Sequence, residues 1–276
     1  MSALSFKLIA EPAHRVDLSA LNLEKLAGKT IEAIGRMRLP CGNRKIALGS
    51  LFEVDGDPAT ASKIKIKRCS NRLDNIGREL NGGTLEISGS VGDYLGRDMR
   101  AGSITVKGNA GNWVGTGMRA GTIEIGGDAG DYLASARPGD AQGMKNGTIH
   151  VHGNIGDRAG DRMRRGMVIV EGDAGDYCGA RMLAGTIMVL GQSGSFTGFS
   201  MKRGTLLLSQ KPRHIPATFN DCGQFELGFL GLLFRDLASR HRSLKKFRDF
   251  HPLVQRYAGD LAWNGKGELL IMQSSP

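Results

Sequence analysis

The sequence predicts an all-β chain: a right-handed parallel β-helix with a non-repeating N-terminal cap and a C-terminal helix packed on the last coils. Three observations predict it. Between Gly83 and Leu208 the chain repeats itself, with equivalent glycines at Gly83, Gly102, Gly121, Gly147, Gly166, Gly185 and Gly204. Five of the six spacings are 19 residues, and the sixth is 26, with seven extra residues between Ala134 and Gly143. Such fixed-period self-similarity is the signature of a stacked solenoid. Second, each copy carries aliphatic residues two and four positions after its first glycine, as in Leu85 and Ile87, Ile123 and Ile125, or Val168 and Val170. That is a period-2 strand with one buried face. Third, no copy holds a helical run long enough to cross a sheet. Short strands joined by GxxGxxxG corners therefore wind as a parallel β-helix, with coils roughly 4.8 Å apart. A right-handed winding follows from the hand that parallel crossovers prefer.

Stacking turns each position of the repeat into a column. Sixteen residues after the first glycine stand Met99, Met118, Met144, Met163, Met182 and Met201, an inward methionine ladder. Position 11 gives Tyr94, Trp113, Tyr132, Arg158, Tyr177 and Phe196, nearly all aromatic. Position 17 gives Arg100, Arg119, Lys145, Arg164, Leu183 and Lys202, a basic column broken once. Position 3 changes along the chain, from Glu86, Thr105, Glu124 and His150 to Ile169, Met188 and Leu207. One outer face thus starts polar and ends apolar, so something must cover the last coils.

Three regions follow: a cap over 1–62, the β-helix over 63–208 and an extension over 209–276. In the cap, Ser5–Ala10 reads as a strand and Leu18–Leu26 as holding a short helix. Lys29–Leu39 and Lys45–Val54 read as extended, broken by the turn at Pro40-Cys41-Gly42-Asn43. Residues 63–82 resemble a degenerate coil, with Ile64 and Ile66 in a strand and Gly77 and Leu80 in the glycine and methionine columns. A cap is needed because a bare sheet end is open to pairing. After Leu208, the run Phe225–Arg242 is too apolar to stand as a lone helix in water. It is expected on the face of Ile169, Met188 and Leu207. A strand at Glu268–Met272 closes the chain.

With 37 Lys and Arg against 27 Asp and Glu, the net charge of +10 favours acidic partners. No run of 18 apolar residues occurs, so no membrane span is expected. The N-terminal residues lack the pattern of a secretory signal. Cys41, Cys69, Cys178 and Cys222 are far apart and form no CxxC pair, which fits a reduced, cytoplasmic protein. Cys178 shares its column with Leu95, Val114 and Leu133 and reads as core.

Few motifs carry chemistry. The glycine strings are each followed by a strand, whereas a dinucleotide fingerprint needs a helix opening after it. The 19-residue period and positive charge argue against calcium-binding nonapeptide rolls. His150 and His152 flank Val151 on one outward face, a spacing that can bind a transition metal. Two ligands do not close a site, Glu124 and Glu171 are only loosely adjacent, and an exposed strand edge is the simpler reading; no metal site is assigned. Asp93, Asp131, Asp157 and Asp176 read as turn formers, and no nucleophile–base pair stands out, so no catalytic residue is assigned. The basic column remains. Either Asp98, Asp161 and solvent neutralise it, or an anion runs along it. An independent nucleic-acid binder would need base-stacking aromatics beside exposed basic residues, and the position-11 rings are expected to stack on one another instead.

The repeat, written GTIxVxGDxGDYxGxxMRA, resembles that of the C subunit of formylmethanofuran dehydrogenases, and also the C-terminal β-helix of glutamate synthase. The flanks favour the former: Gly42-Asn43, the segment Leu48-to-Gly56, Tyr257-x-Gly259-Asp260 and Gly267-Glu268-Leu269-Leu270. In length and cap it is most similar to the C subunits of bacterial formyltransferase/hydrolase complexes. The resemblance implies a β-helical scaffold in one-carbon metabolism with no active site or cofactor of its own. Such complexes move a formyl group from tetrahydromethanopterin to methanofuran and release formate. Formyl transfer is assigned to a D subunit and hydrolysis to a metal-dependent, amidohydrolase-like A subunit, and a B subunit makes up the set. The archaeal form is a molybdenum or tungsten dehydrogenase. No nucleic acid or membrane is implied. Because methanofuran carries acidic glutamyl units, Arg100, Arg119, Lys145, Arg164 and Lys202 are the candidate contacts for its tail.

Overall fold

Every repeat lays one strand into the same sheet. In the computed structural model, which describes residues 2–250 and 252–273, the strands Asn81–Gly89, Ala101–Val106, Thr122–Ile125, Thr148–Val151, Met167–Val170, Thr186–Val189 and Arg203–Leu208 pair in parallel, in chain order. Their register places Leu85, Ile104, Ile123, Ile149, Val168, Ile187 and Leu206 in one row. The row is buried, and so are all six methionines of the ladder. A second wall forms where Ala110, Ala129, Ile155, Ala174 and Ser193 bridge in parallel. The chain is mostly β, built on a long and largely parallel sheet, as a β-helix-like repeat requires.

The acidic and amide residues of the corners do more than turn the chain. Oδ1 of Asp93, Asn112, Asp131, Asp157 and Asp176 each accepts the backbone N–H one coil further on, at 2.7–2.9 Å. A second ladder runs through Asn109, Asp128, Asn154 and Asp173. These bonds satisfy corner amides that no strand partner reaches. They also explain the glycines: a Cβ at Gly127 or Gly130 would collide with Oδ1 of Asn109 or Asn112 in the coil before. These glycines leave the space into which the side-chain oxygen of the previous coil fits, whereas Gly96, Gly115 and Gly160 leave room for Ile123, Ile149 and Ile187.

The degenerate coil expected over 63–82 is present, and its strand starts two residues earlier, at Ala61. Strand Ala61–Cys69 pairs with Asn81–Gly89, matching Ile64 to Leu85 and Ile66 to Ile87, and Leu80 is fully buried. In the cap, the first strand is Ser2–Leu8, three residues earlier than expected at its start, and it pairs with Ala61–Cys69 and Phe52–Asp55. The expected helix is a single turn, Leu23–Leu26. Lys29–Leu39 is not extended throughout: Ile31–Gly35 is helical, because Thr30 Oγ1 accepts the N–H of Ala33 and caps it. Arg38–Cys41 and Arg44–Ala47 do form a hairpin about Gly42-Asn43, and Leu48–Ser50 is a 3-10 turn before Phe52–Asp55.

The apolar end of the solenoid is covered as its gradient demands. Helix Gly228–Arg240 buries Leu230, Phe234 and Leu237 in one cluster with Ile169, Met188 and Leu207. It begins later than expected, because Asn220–Glu226 is a strand paired with Leu253–Gly259. The final strand, Lys266–Met272, continues the parallel stack beside Arg203–Leu208, and Leu253–Gly259 pairs antiparallel to it. His150 is not on an exposed strand edge. The chain after the helix covers it to 1 % exposure. Cys178 is core as expected, and burial pushes its thiol up to about 12. Among the described residues no helix is long and apolar enough to cross a membrane.

Candidate anion-binding edge

The basic column is a ladder of backbone bonds. The N–H of Arg119, Lys145, Arg164 and Lys202 donates to the carbonyl of Met99, Met118, Met144 and Met182, and that of Arg100 to Leu80, all at 2.7–2.8 Å. Leu183 occupies the fifth rung in the same way. Five coil spacings separate Arg100 from Lys202, about 24 Å. Arg100, Arg119, Arg164 and Lys202 are exposed and Lys145 half-buried. Among the described residues, none of the five takes part in an ion pair within 4.0 Å.

The acids expected to neutralise the column bind other partners. Asp98 pairs with Arg97 at 3.3 Å and with Arg137 at 3.2 Å. Asp161, nearly buried, takes a two-pronged contact from Arg181, with Nε donating to Oδ1 at 2.9 Å and Nη2 to Oδ2. That hydrogen bond raises the Arg181 pKa further above its ordinary value. The column therefore keeps its positive field, while the acids beside it are matched by Arg97, Arg137 and Arg181.

The 26-residue repeat places its extra loop here. The loop is pinched where Met144 N–H donates to Ala134 O, and it is tied to the next coil by Ala136 N–H to Asp161 O and Gly143 N–H to Arg162 O. Arg137 braces it from within, donating to Asp140 Oδ2 at 2.6 Å. Recesses open on its flanks. One is walled by Arg119, Arg137, Lys145, Asp98 and Asp140. A second lies between Arg162, Arg181, Lys202 and Trp263, with Lys202 Nζ 5.7 Å from the centre of the Trp263 ring. A third is floored by Trp113 and Tyr132, stacked at 4.2 Å and 1°. The aromatic column thus stacks on itself, as expected, and Arg158 fills its gap by lying over Tyr177 at 4.6 Å.

Sequence reasoning missed Arg137, Arg162, Arg181 and Trp263. Arg162 and Arg181 were legible as basic neighbours of the methionine ladder. Trp263 had no signal, since it reaches the edge only through the C-terminal fold. Replacing Arg137 with alanine should free the loop at a cost of about 1 kcal/mol, the scale of exposed pairs. Limited proteolysis at Pro138-Gly139-Asp140 should then quicken; an unchanged cleavage rate would show that the backbone ties alone hold the loop.

A family described by its GXGXG motif matches residues 60–223, more than half of the chain. The chain belongs to this GXGXG family. Its relatives include C subunits of formylmethanofuran dehydrogenases. It is similar to the C subunit of the tungsten-containing formylmethanofuran dehydrogenase 2 of Methanothermobacter marburgensis, 39% identical over 84 residues that cover 29% of this chain and 31% of that protein. It is also similar to the C subunit of the molybdenum-containing formylmethanofuran dehydrogenase 1 of Methanosarcina barkeri, 34% identical over 81 residues, covering 28% and 27%. The match thus spans about a third of the length of these curated relatives. An end-to-end likeness links it to a chain in the crystal structure of the formyltransferase/hydrolase complex from Methylorubrum extorquens with methylofuran. There the TM-score is 0.90 and the identity 35%, covering 98% of this chain and 100% of the other.

Proposed function

We propose that this chain is the non-catalytic scaffold subunit of a formyltransferase/hydrolase complex. In that reading it carries a right-handed β-helix (63–208) between a cap (1–62) and an extension (209–276). Formyl passes from tetrahydromethanopterin to methanofuran and is released as formate on partner subunits: a formyltransferase D subunit, an amidohydrolase-like A subunit holding the metal, and a B subunit. The observation that carries the reading is the end-to-end likeness at 35% identity to a chain of such a complex, across cap, coils and extension alike. The relatives of the tungsten and molybdenum enzymes support a second reading, a dehydrogenase subunit, but only over about a third of their length. Gentle purification of the tagged chain from its native host separates the two. Formyltransferase-like and amidohydrolase-like partners, with activity in the complex and none in the chain alone, are expected. Molybdenum- or tungsten-pterin partners would favour the second reading, and recovery of the chain alone would defeat both.

The basic edge has a role in this reading: it holds the acidic tail of the coenzyme. Arg100, Arg119, Lys145, Arg164 and Lys202 stand on one ladder, and Arg162 and Arg181 widen it. Reversing one charge about 5 Å from a carboxylate removes an attraction and adds a repulsion, about tenfold in affinity at low salt. Arg119→Glu and Arg164→Glu should each weaken coenzyme binding by about that factor, and the difference should shrink as salt rises. Equal affinity at low salt for wild type and the double variant would remove the edge from coenzyme binding.

A further inference from the structure

Away from the basic edge, the position-3 face gathers three histidines and two glutamates where the polar part of the gradient meets its apolar part. Glu124 and His150 are register partners on adjacent strands, and His152 and Glu171 lie beside them. His241 and Ser243 arrive from the end of the C-terminal helix, 91 residues from His150 in sequence. One ligand atom from each of Glu124, His150 and His152 lies within 4.8 Å of the others.

The hydrogen-bond accounting points to a cation. Glu171 Oε1 faces His150 Nε2 at 2.7 Å and His152 Nδ1 at 2.9 Å, and it accepts the Ser243 hydroxyl at 2.5 Å. Glu124 Oε1 faces His152 Nε2 at 3.0 Å. Three ring nitrogens thus address carboxylates, while two neutral imidazoles offer only two N–H groups. One positive charge, a proton or a metal ion, is needed between His152 Nε2 and Glu124. Once Glu171 takes an N–H from each ring, the lone pairs left are His152 Nε2 and His150 Nδ1. The second of these faces His241 Nδ1 at 3.0 Å. A carboxylate that fixes the tautomers of two histidines from behind is how metal-binding rings are held.

We propose that Glu124, His150 and His152 form a site for a divalent first-row transition ion of the zinc class, and that His241, seated against His150, ties the C-terminal helix to it. Imidazole nitrogens with one carboxylate oxygen suit such an ion rather than calcium or magnesium. Ligand bonds of about 2.0–2.1 Å put neighbouring donors of a tetrahedral ion about 3.3 Å apart; the His152–Glu124 pair at 3.0 Å opens by a few tenths of an ångström, and the other pairs of the three, within 4.8 Å, draw in to match. This departs from the expectation that the chain holds no metal. It is independent of the proposed formyl-transfer role.

The full chain, freed of metal with a chelator and titrated with Zn2+ and with Co2+, gives the test. We expect one ion per chain, the visible absorption of four-coordinate Co2+, and a melting temperature raised by about 5 °C or more. Glu124→Gln, at a half-exposed side chain whose replacement leaves packing intact, should weaken binding at least about tenfold, and Glu171→Gln by about 10–100-fold. Failure of the wild type to bind Zn2+, with an unchanged melting temperature, would mean the charge is a proton and overturn the proposal. Equal affinity in the wild type, the Glu124→Gln chain and a His150→Gln chain would place the ion elsewhere and overturn it as well.

Discussion

Phe234→Ala is expected to release the C-terminal helix from the solenoid, at a cost of about 3–5 kcal/mol. Phe234 is fully buried, its ring centre 4.8 Å from that of Phe250 and 5.5 Å from that of Phe247. It belongs to the cluster of Ile169, Met188 and Leu207, so truncation opens a cavity between helix and coils. Solenoid coils are held by their immediate neighbours. The loss should therefore fall on the helix, with faster amide exchange over Gly228–Arg240 and unchanged protection over Thr148–Val151. Leu232→Ala, on the outer face at 64 % exposure, is the control and should change little. Equal loss of protection in helix and strands would mean that the two unfold together and the helix is not a separately docked element.

Gly127→Ala is expected to cost about 2–4 kcal/mol despite adding only one methyl group. Its Cβ would strike Asn109 Oδ1 and come within 3.2 Å of the Gly108 carbonyl carbon. To make room, Asn109 must leave its bond to the Asp128 N–H, which is then left without its partner. Because one side chain carries both the clash and the bond, the effects should not add. In a double-mutant cycle, Asn109→Ala should absorb much of the Gly127→Ala penalty, with a coupling of about 1 kcal/mol or more read from denaturant unfolding. Strict additivity would show that the glycine serves its own backbone rather than its neighbour's side chain.

The periodic part of the chain was legible because stacking makes every position speak six times. The strand rows, the methionine ladder and the aromatic column all follow from reading the repeat downwards, and all lie where the columns put them. The apolar gradient through Ile169, Met188 and Leu207 identified the face that the helix covers. What failed had no repeat to speak for it. Ile31–Gly35 is too short for a helical period to show, and its capping threonine was the only local signal. Leu253–Gly259 exists as a strand because Asn220–Glu226 and Lys266–Met272 lie on either side of it, and neither neighbour is local.

The candidate sites divide in the same way. The basic column was legible as a row, but not the partners of its acids. Asp98 is taken by Arg137, which belongs to the irregular loop, and Asp161 by Arg181 of the next coil. His150 and His152 were legible as a pair on one face. Their third histidine was not, because His241 reaches them only after the helix has folded back over the coils.

At each end of the long sheet the parallel run is broken by a strand that lies against the stack: Phe52–Asp55 beside Ser2–Leu8 at one end, and Leu253–Gly259 beside Lys266–Met272 at the other, where Asn220–Glu226 reverses once more and forms the edge. An open parallel stack would offer each terminus as a template for the first or last coil of another molecule. Phe52–Asp55 presents the wrong polarity for that coil at one end, the reversed strand Leu253–Gly259 interrupts the parallel run at the other, and Glu53, Asp55 and Asp221 add charge along the two edge strands. The coil number is thereby fixed by the chain itself. The parallel stack has a set length, closed at both ends by strands of this same chain instead of being left open to the coils of another molecule.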